Sequence, residues 1–177
     1  MLAIHHLLKA IIRRSIDMGE CCNLSSSNKK NETRWQRICP QDGTKGKPVQ
    51  LITLKSLLVP VALEQLNPAT TYWFCPSPNC LVVYFSEQGQ TFTTADLKVP
   101  VFQKNVDENV FACYCFGWSR QRIREELKQS GESNAVDMIM THVKAKRCGC
   151  EVNNPQGSCC LENVRSVVKQ TVEELAR

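Results

Sequence analysis

Histidine is scarce in this sequence: the 177 residues hold three, His5, His6 and His142. The first two fall in a polar leader and the third stands alone, so a Rieske-type cluster, which needs two histidines, has no material. A histidine-based nucleophile pair is missing for the same reason, and neither a phosphate loop nor a G-x-S-x-G elbow occurs. Hydrolysis and group transfer are therefore not expected; any enzymatic role is limited to a redox step on a metal. No run approaches the roughly 18 apolar residues of a membrane span. The opening MLAIHHLLKAIIRRSID has its apolar residues broken by His5, His6 and Lys9, and no apolar stretch follows Arg13 and Arg14. That pattern argues against an export signal and places the chain in the cytoplasm, where thiols stay reduced.

A positive surface is also lacking over most of the chain. The net charge is +5, but residues 1–47 hold nine Lys/Arg against four Asp/Glu, while the remaining 130 hold thirteen of each. The excess belongs to the first 47 residues, and the neutral remainder is a poor phosphate-tracking surface, so no nucleic-acid partner is expected.

Cysteine is what the chain has in quantity, eleven in all. An odd number does not make a complete disulfide framework, and clustered, reduced cysteines point to metal. Residues 1–35 end in CCNLSSSNKKNETRW, without apolar period, and read as a disordered leader in which Cys21 and Cys22 are incidental thiols. From Cys39 the pattern turns to CPQDGTKGKP. Thr53 is placed to cap a first short helix and Pro60 to open a second. TTYWFC and CLVVYF, separated by PSPN, predict a β-hairpin whose tip is bracketed by Cys75 and Cys80, with a further strand at Thr91 to Thr93. This first module is assigned residues 36–104.

The second module, 105–177, opens with FACYCF. Ser119 caps a helix carrying Ile123 and Leu127 one turn apart, and Gly131 stops it. A second helix starts at Ser133 with an apolar stripe of Val136, Ile139, Met140 and Val143. A last helix from about Leu161 turns Val164, Val167, Val168, Val172 and Leu175 inward. Cysteines sit at the junctions: Cys113 and Cys115 before one helix, and Cys148, Cys150, Cys159 and Cys160 before another. An iron–sulfur cluster needs thiolates converging from separate segments, and helix N-termini offer N–H groups to an anionic cluster. Six cysteines within 48 residues of a reduced protein have no packing rationale, so a [2Fe-2S] cluster on four of them is expected. Arg120, Arg122, Arg124, Lys144, Lys146 and Arg147 flank this region, either as ordinary helix ends or as a docking face for an acidic partner.

The C-x-C pair followed by a cysteine just before an amphipathic helix resembles bacterioferritin-associated ferredoxin (BFD) and its relatives, which bind [2Fe-2S] in a helical fold. On that resemblance Cys113, Cys115 and Cys160 are ligands. The fourth is Cys150 or Cys148, with Cys159 a further alternative; Cys150 is favoured because the EVNNPQGS turn lets it converge with Cys160. CYCF, KAKRCGCE and NPQGSCCLENV, preceded by CPxxGxxGKPV, FCPSPNC and VVYF, resemble more closely the iron–sulfur and zinc portion of the CopZ copper chaperones, from about Cys39 to Gln170. The resemblance implies an α+β chain, a small zinc-ribbon-like β/α module followed by a helical BFD-like [2Fe-2S] module. It implies a Zn2+ site at Cys39, Cys75 and Cys80, with Asp42 standing where a CPxC knuckle would put a thiolate. It also implies one-electron transfer that reduces Cu(II) to Cu(I), with a redox partner, a copper-binding chaperone or a copper-exporting ATPase as partners. No GMTCxxC copper-binding segment is present, so copper delivery by this stretch itself is not expected. The alternative function is a non-redox zinc module for interaction or regulation.

Overall fold

The structure is a computed structural model and describes residues 37–177. The expectations for the leader, including His5, His6, Cys21 and Cys22, lie outside the described residues.

Aromatic and β-branched residues build the first half. Strand β1 (Lys47–Val49) precedes helices α1 (Leu51–Leu57) and α2 (Pro60–Glu64); β2 (Tyr72–Phe74), β3 (Val82–Ser86) and β4 (Thr91–Thr93) follow. The four strands form one antiparallel sheet in the order β1-β2-β3-β4. Residues of β2 and β3 are buried on both faces, which is why these strands read as unbroken apolar runs rather than alternating ones. Tyr72, Phe74, Val83 and Tyr84 pack with Val49, Leu54, Leu58, Ala62 and Val101 on the helix side. Trp73 and Phe85 face the other way, beside Cys39, Cys75, Cys80 and Val82. Val83 and Tyr84 are neighbours yet share one face, because the ladder to β4 shifts register between Val82 and Tyr84. Strand β1 was not expected: Lys47 and Pro48 end a stretch that reads as turn chemistry, and pairing with β2 makes them, with Val49, a strand.

The second half begins with a two-stranded ribbon, β5 (Phe111–Cys113) and β6 (Trp118–Ser119). Helices α3 (Arg120–Ser130), α4 (Ala135–Lys144), the short α5 (Cys150–Asn153) and α6 (Leu161–Leu175) complete it. Its core joins Ala112, Cys113, Trp118, Ile123, Leu127, Ala135, Ile139, Cys160, Leu161, Val164, Val167 and Val168. Ser119 caps α3, its Oγ accepting from the Arg122 N–H at 3.1 Å, and Gly131 ends it with φ 75°. Three local expectations are corrected. Helix α1 has Gln50 at its N-cap; Thr53 is buried in the helix and donates its hydroxyl to the Glu151 carbonyl at 2.6 Å. Helix α4 starts one residue late, at the Asn134 cap, with Ser133 Oγ accepting from the Ala135 N–H at 3.3 Å. Leu175 is 45% exposed, while Thr171 takes a buried place on the inner face of α6.

The halves share a seam. Besides the Thr53 bond, Ser56 Oγ donates to the Val152 carbonyl at 2.7 Å and the Tyr84 hydroxyl donates to the Pro155 carbonyl at 2.8 Å. The backbone passes close here as well: a Cβ at Gly157, whose φ is 65°, would lie 2.7 Å from Val49 Cγ2. The loop carrying Cys150 and Cys160 is thus held against α1 and β3. Among the described residues, no helix is long and apolar enough to cross a membrane.

Candidate metal centres

The 38–46 segment folds back on itself, with Cys39 N–H donating to the Thr44 carbonyl at 2.8 Å and Gly43 N–H to the Cys39 carbonyl at 2.9 Å. This tight turn presents Cys39 and Asp42 to the tip of the β2–β3 hairpin, where Cys75 and Cys80 project. The ligand-type atoms of Cys39, Asp42, Cys75 and Cys80 all lie within 4.8 Å of one another. The Sγ atoms of Cys39 and Cys80 are 3.8 Å apart, and Cys75 Sγ is 3.9 Å from Asp42 Oδ1. Metal–sulfur bonds of about 2.3 Å at tetrahedral angles give an edge of about 3.8 Å. Three sulfurs and one carboxylate therefore fit a Zn2+ ion.

Neighbours fix these donors. Asp42 accepts from the Thr44 N–H at 3.0 Å and the Thr44 hydroxyl at 2.9 Å. A hydrogen bond from Ser77, with those from Thr44, holds its carboxyl well below the usual range, so it is an anion ready to ligate. Gln41 Oε1 accepts from the Val82 N–H at 3.3 Å and the Cys80 thiol at 3.4 Å, tying the turn to β3. Burial pushes the Cys39 thiol up to about 12 and raises Cys75 as well, so without metal both keep their protons and binding a cation releases them.

The second group gathers at the other core. Cys113, at the end of β5, and Cys160, at the N-cap of α6, are 0% and 2% exposed and count among its buried residues. Cys115 lies in the β5–β6 turn, Cys150 at the first position of α5. Cys115 Sγ and Cys150 Sγ are 3.8 Å apart, while Cys113 hydrogen-bonds Cys160. Cys150 also contacts Cys159 and Cys160, so the group draws in at least five sulfurs. Contact with Cys113, then Cys150, lowers the Cys160 thiol to about 4; contact with Cys150 lowers Cys115 to about 7 and Cys159 to about 6. Cys113, beside Cys160, and Cys150, beside Cys115, Cys159 and Cys160, are raised. Sulfurs that share protons so closely are placed to exchange them for metal. Backbone N–H groups of Phe116, Gly149 and Leu161 point at Cys113, Cys115 and Cys159, and Asn153 Nδ2 lies 3.8 Å from Cys115 Sγ.

Of the two cysteines flanking Gly149, it is Cys150 whose sulfur meets Cys115; Cys148 is half-buried in the loop before α5. Cys113 and Cys115 precede α3 with a strand intervening, a ribbon that the short FACYCF segment did not announce. His142 is half-buried rather than solvated: its ring stacks on Phe116 with centroids 4.5 Å apart. Three of the flanking basic residues are structural braces. Arg120 stacks 4.0 Å from the Phe102 ring centroid and Arg122 3.7 Å from that of Trp118. Arg124 pairs with Glu174 at 2.9 Å and Glu108 at 3.4 Å. Gln41, Lys104 and Asn153, all of which touch a centre, carried no signal in the sequence, since a polar side chain beside a future site looks like any other.

Residues 36–98 match a family described as a zinc binding domain, zf_CopZ. The chain is 30% identical over 122 residues to the copper chaperone CopZ of Archaeoglobus fulgidus, an alignment longer than the zinc-binding segment. That alignment covers 69% of this chain and 57% of the relative, so the chain spans little more than half of the relative's length. The X-ray structure of the N-terminal domain of A. fulgidus CopZ superposes with a TM-score of 0.62 at 27% identity, covering 73% of this chain and 96% of that one. By sequence and by fold, the described part of this chain resembles the N-terminal domain of A. fulgidus CopZ, and residues 36–98 are similar to the zinc-binding family.

Proposed function

We propose that this chain is a two-centre metal-handling protein, with a Zn2+ ion on Cys39, Asp42, Cys75 and Cys80 and a [2Fe-2S] cluster on Cys113, Cys115, Cys150 and Cys160. On this reading residues 36–104 form the zinc module and 105–177 the BFD-like cluster module. The observation that carries it is the convergence of the second sulfur group from two distant segments, Cys115 meeting Cys150 at 3.8 Å and Cys113 meeting Cys160. The likeness to a copper chaperone beyond the zinc-binding segment supports the same reading. None of the nine described cysteines is in a disulfide, in keeping with a reduced cytoplasmic setting.

Bound there, a cluster of this type supplies one-electron exchange, enough to take Cu(II) to Cu(I). The chain's part is to hold and screen it. Cys113 and Cys160 would anchor it in the apolar core, and the buried Cys150 and half-buried Cys115 would complete the set, with Asn153 Nδ2 beside Cys115. The electron comes from a redox partner, and the reduced copper passes to a copper-binding chaperone or a copper-exporting ATPase.

Metal analysis of anaerobically purified protein tests this directly. Two irons, two acid-labile sulfides and one zinc per chain, with a reddish-brown colour bleached by dithionite, are expected. A colourless protein with two zincs and no iron would instead establish the non-redox zinc module.

A further inference from the structure

The zinc reading leaves one buried-charge question open. Three thiolates and a carboxylate around Zn2+ carry two net negative charges, and three of the four donors are almost fully buried. An excess charge in such a place needs a compensating partner. The structure puts one there. Lys104, in the short 3₁₀ turn Phe102–Lys104, reaches back to the hairpin tip. Its Nζ donates to the Ser77 carbonyl at 2.7 Å and to the Cys80 carbonyl at 2.9 Å.

One carbonyl belongs to the PSPN tip and the other to Cys80, the cysteine that closes it. Ser77 is also the residue whose side chain hydrogen-bonds Asp42. Through one ammonium group, the spacing of Cys75 and Cys80 and the orientation of Asp42 become linked.

We propose that Lys104 is a positioning residue of the zinc centre, clamping the hairpin tip that carries Cys75 and Cys80 and supplying the counter-charge for an anionic donor set. The inference rests on the zinc reading above and goes beyond it, since Lys104 is no ligand and lies outside the segment that matches the zinc-binding family. A lysine stem with three donors suits two carbonyls at the ends of a turn, and its compact charge needs no planar partner.

Zinc affinity of the full chain, measured by competition with a chromophoric chelator, tests it. Lys104→Met keeps the aliphatic stem and removes both charge and donors; it is expected to weaken zinc binding about 10- to 100-fold, the usual effect of removing a group that orients metal ligands. Lys104→Arg, which restores charge and donors, is expected to stay within about threefold of the unaltered protein, a rescue that lost packing alone would not give. An affinity of Lys104→Met within threefold of the unaltered protein, or Lys104→Arg as weak as Lys104→Met, would overturn the proposal. Should Lys104→Met not fold, Lys104→Gln carries the test, with a loss of about tenfold or more expected and a value within threefold refuting it. If the unaltered chain binds no zinc, the zinc reading fails and this inference with it; if it binds zinc and the variants bind equally, only the inference fails.

Discussion

Replacing Tyr84 by Phe tests how the two halves are joined. Tyr84 is 0% exposed, and its hydroxyl donates to the Pro155 carbonyl, itself buried, at 2.8 Å. The substitution leaves no cavity, because the ring stays, so the cost is polar. A typical intramolecular hydrogen bond contributes about 0.5–1.5 kcal/mol net, and a buried acceptor left unpaired costs about 1–3 kcal/mol. Access of water to Pro155 would soften this, but Gln156 beside it is also buried. The expected loss is therefore about 1–3 kcal/mol, or roughly 2–4 °C in Tm for each kcal/mol in a domain of this size. Tyr72→Phe is the internal control. The Tyr72 ring is buried, but its hydroxyl bonds Gln90 and the Asn67 carbonyl and N–H, half-buried residues where water can substitute, and a loss of about 1 kcal/mol or less is expected. The assay is urea unfolding of the metal-loaded protein followed by far-UV circular dichroism, with slopes compared across variants. Thr53→Val joined to Tyr84→Phe should depart from additivity, because both bonds hold the 151–155 segment. Tyr84→Phe losing no more than Tyr72→Phe, with an unchanged slope, would refute the idea that this bond pins the cysteine-bearing loop to the sheet.

Gly157→Ala should destabilise the fold by about 1–2 kcal/mol from its left-handed backbone and about 1–3 kcal/mol more from crowding. Its new Cβ would meet Val49 Cγ2 at 2.7 Å and Thr53 Oγ1 at 3.1 Å, and thermal melting reads the effect. Asp42→Ala, removing the only exposed donor of the first group, should lower zinc affinity by at least about tenfold in chelator competition, as loss of a ligand or its orienter does. On the cluster reading, Cys150→Ser should abolish or strongly reduce iron per chain while Cys148→Ser leaves it unchanged; the reverse order would move the fourth ligand to Cys148.

Legibility followed how local the cause was. The hairpin was readable because TYWF and LVVYF are strand formers with prolines and Asn79 between them, and β2 and β3 fall within those runs. Helix α3 was readable at both ends because Ser119 and Gly131 act on their own neighbours. Thr53 misled for the opposite reason: its hydroxyl is spoken for by Glu151, a residue 98 positions away, and a distant acceptor leaves no mark on the local pattern. The β5–β6 ribbon escaped because five residues of FACYC carry no alternation before the chain turns. Leu175 fits the helical period of α6, but the last turn runs past the core it would need to cover.

The same distinction explains the two centres. At the first, the donors stand in two short motifs, CPQD and CPSPNC, whose spacings mark them, and all four come together. At the second, sequence supplies six cysteines, and only packing sorts them. Cys113 is selected by β5 and Cys160 by the start of α6, both inside the core. Cys150 is brought in by the seam, since Thr53 and Ser56 hold the carbonyls of Glu151 and Val152 and thereby orient α5. On the cluster reading, the first half of the chain thus positions a donor of the second. Two small cores, each thin on its own account, gain from a metal that crosslinks their segments. Because Thr53 and Ser56 belong to the zinc half, loosening that half should also loosen Cys150, and the geometry of the second group depends on the integrity of the first.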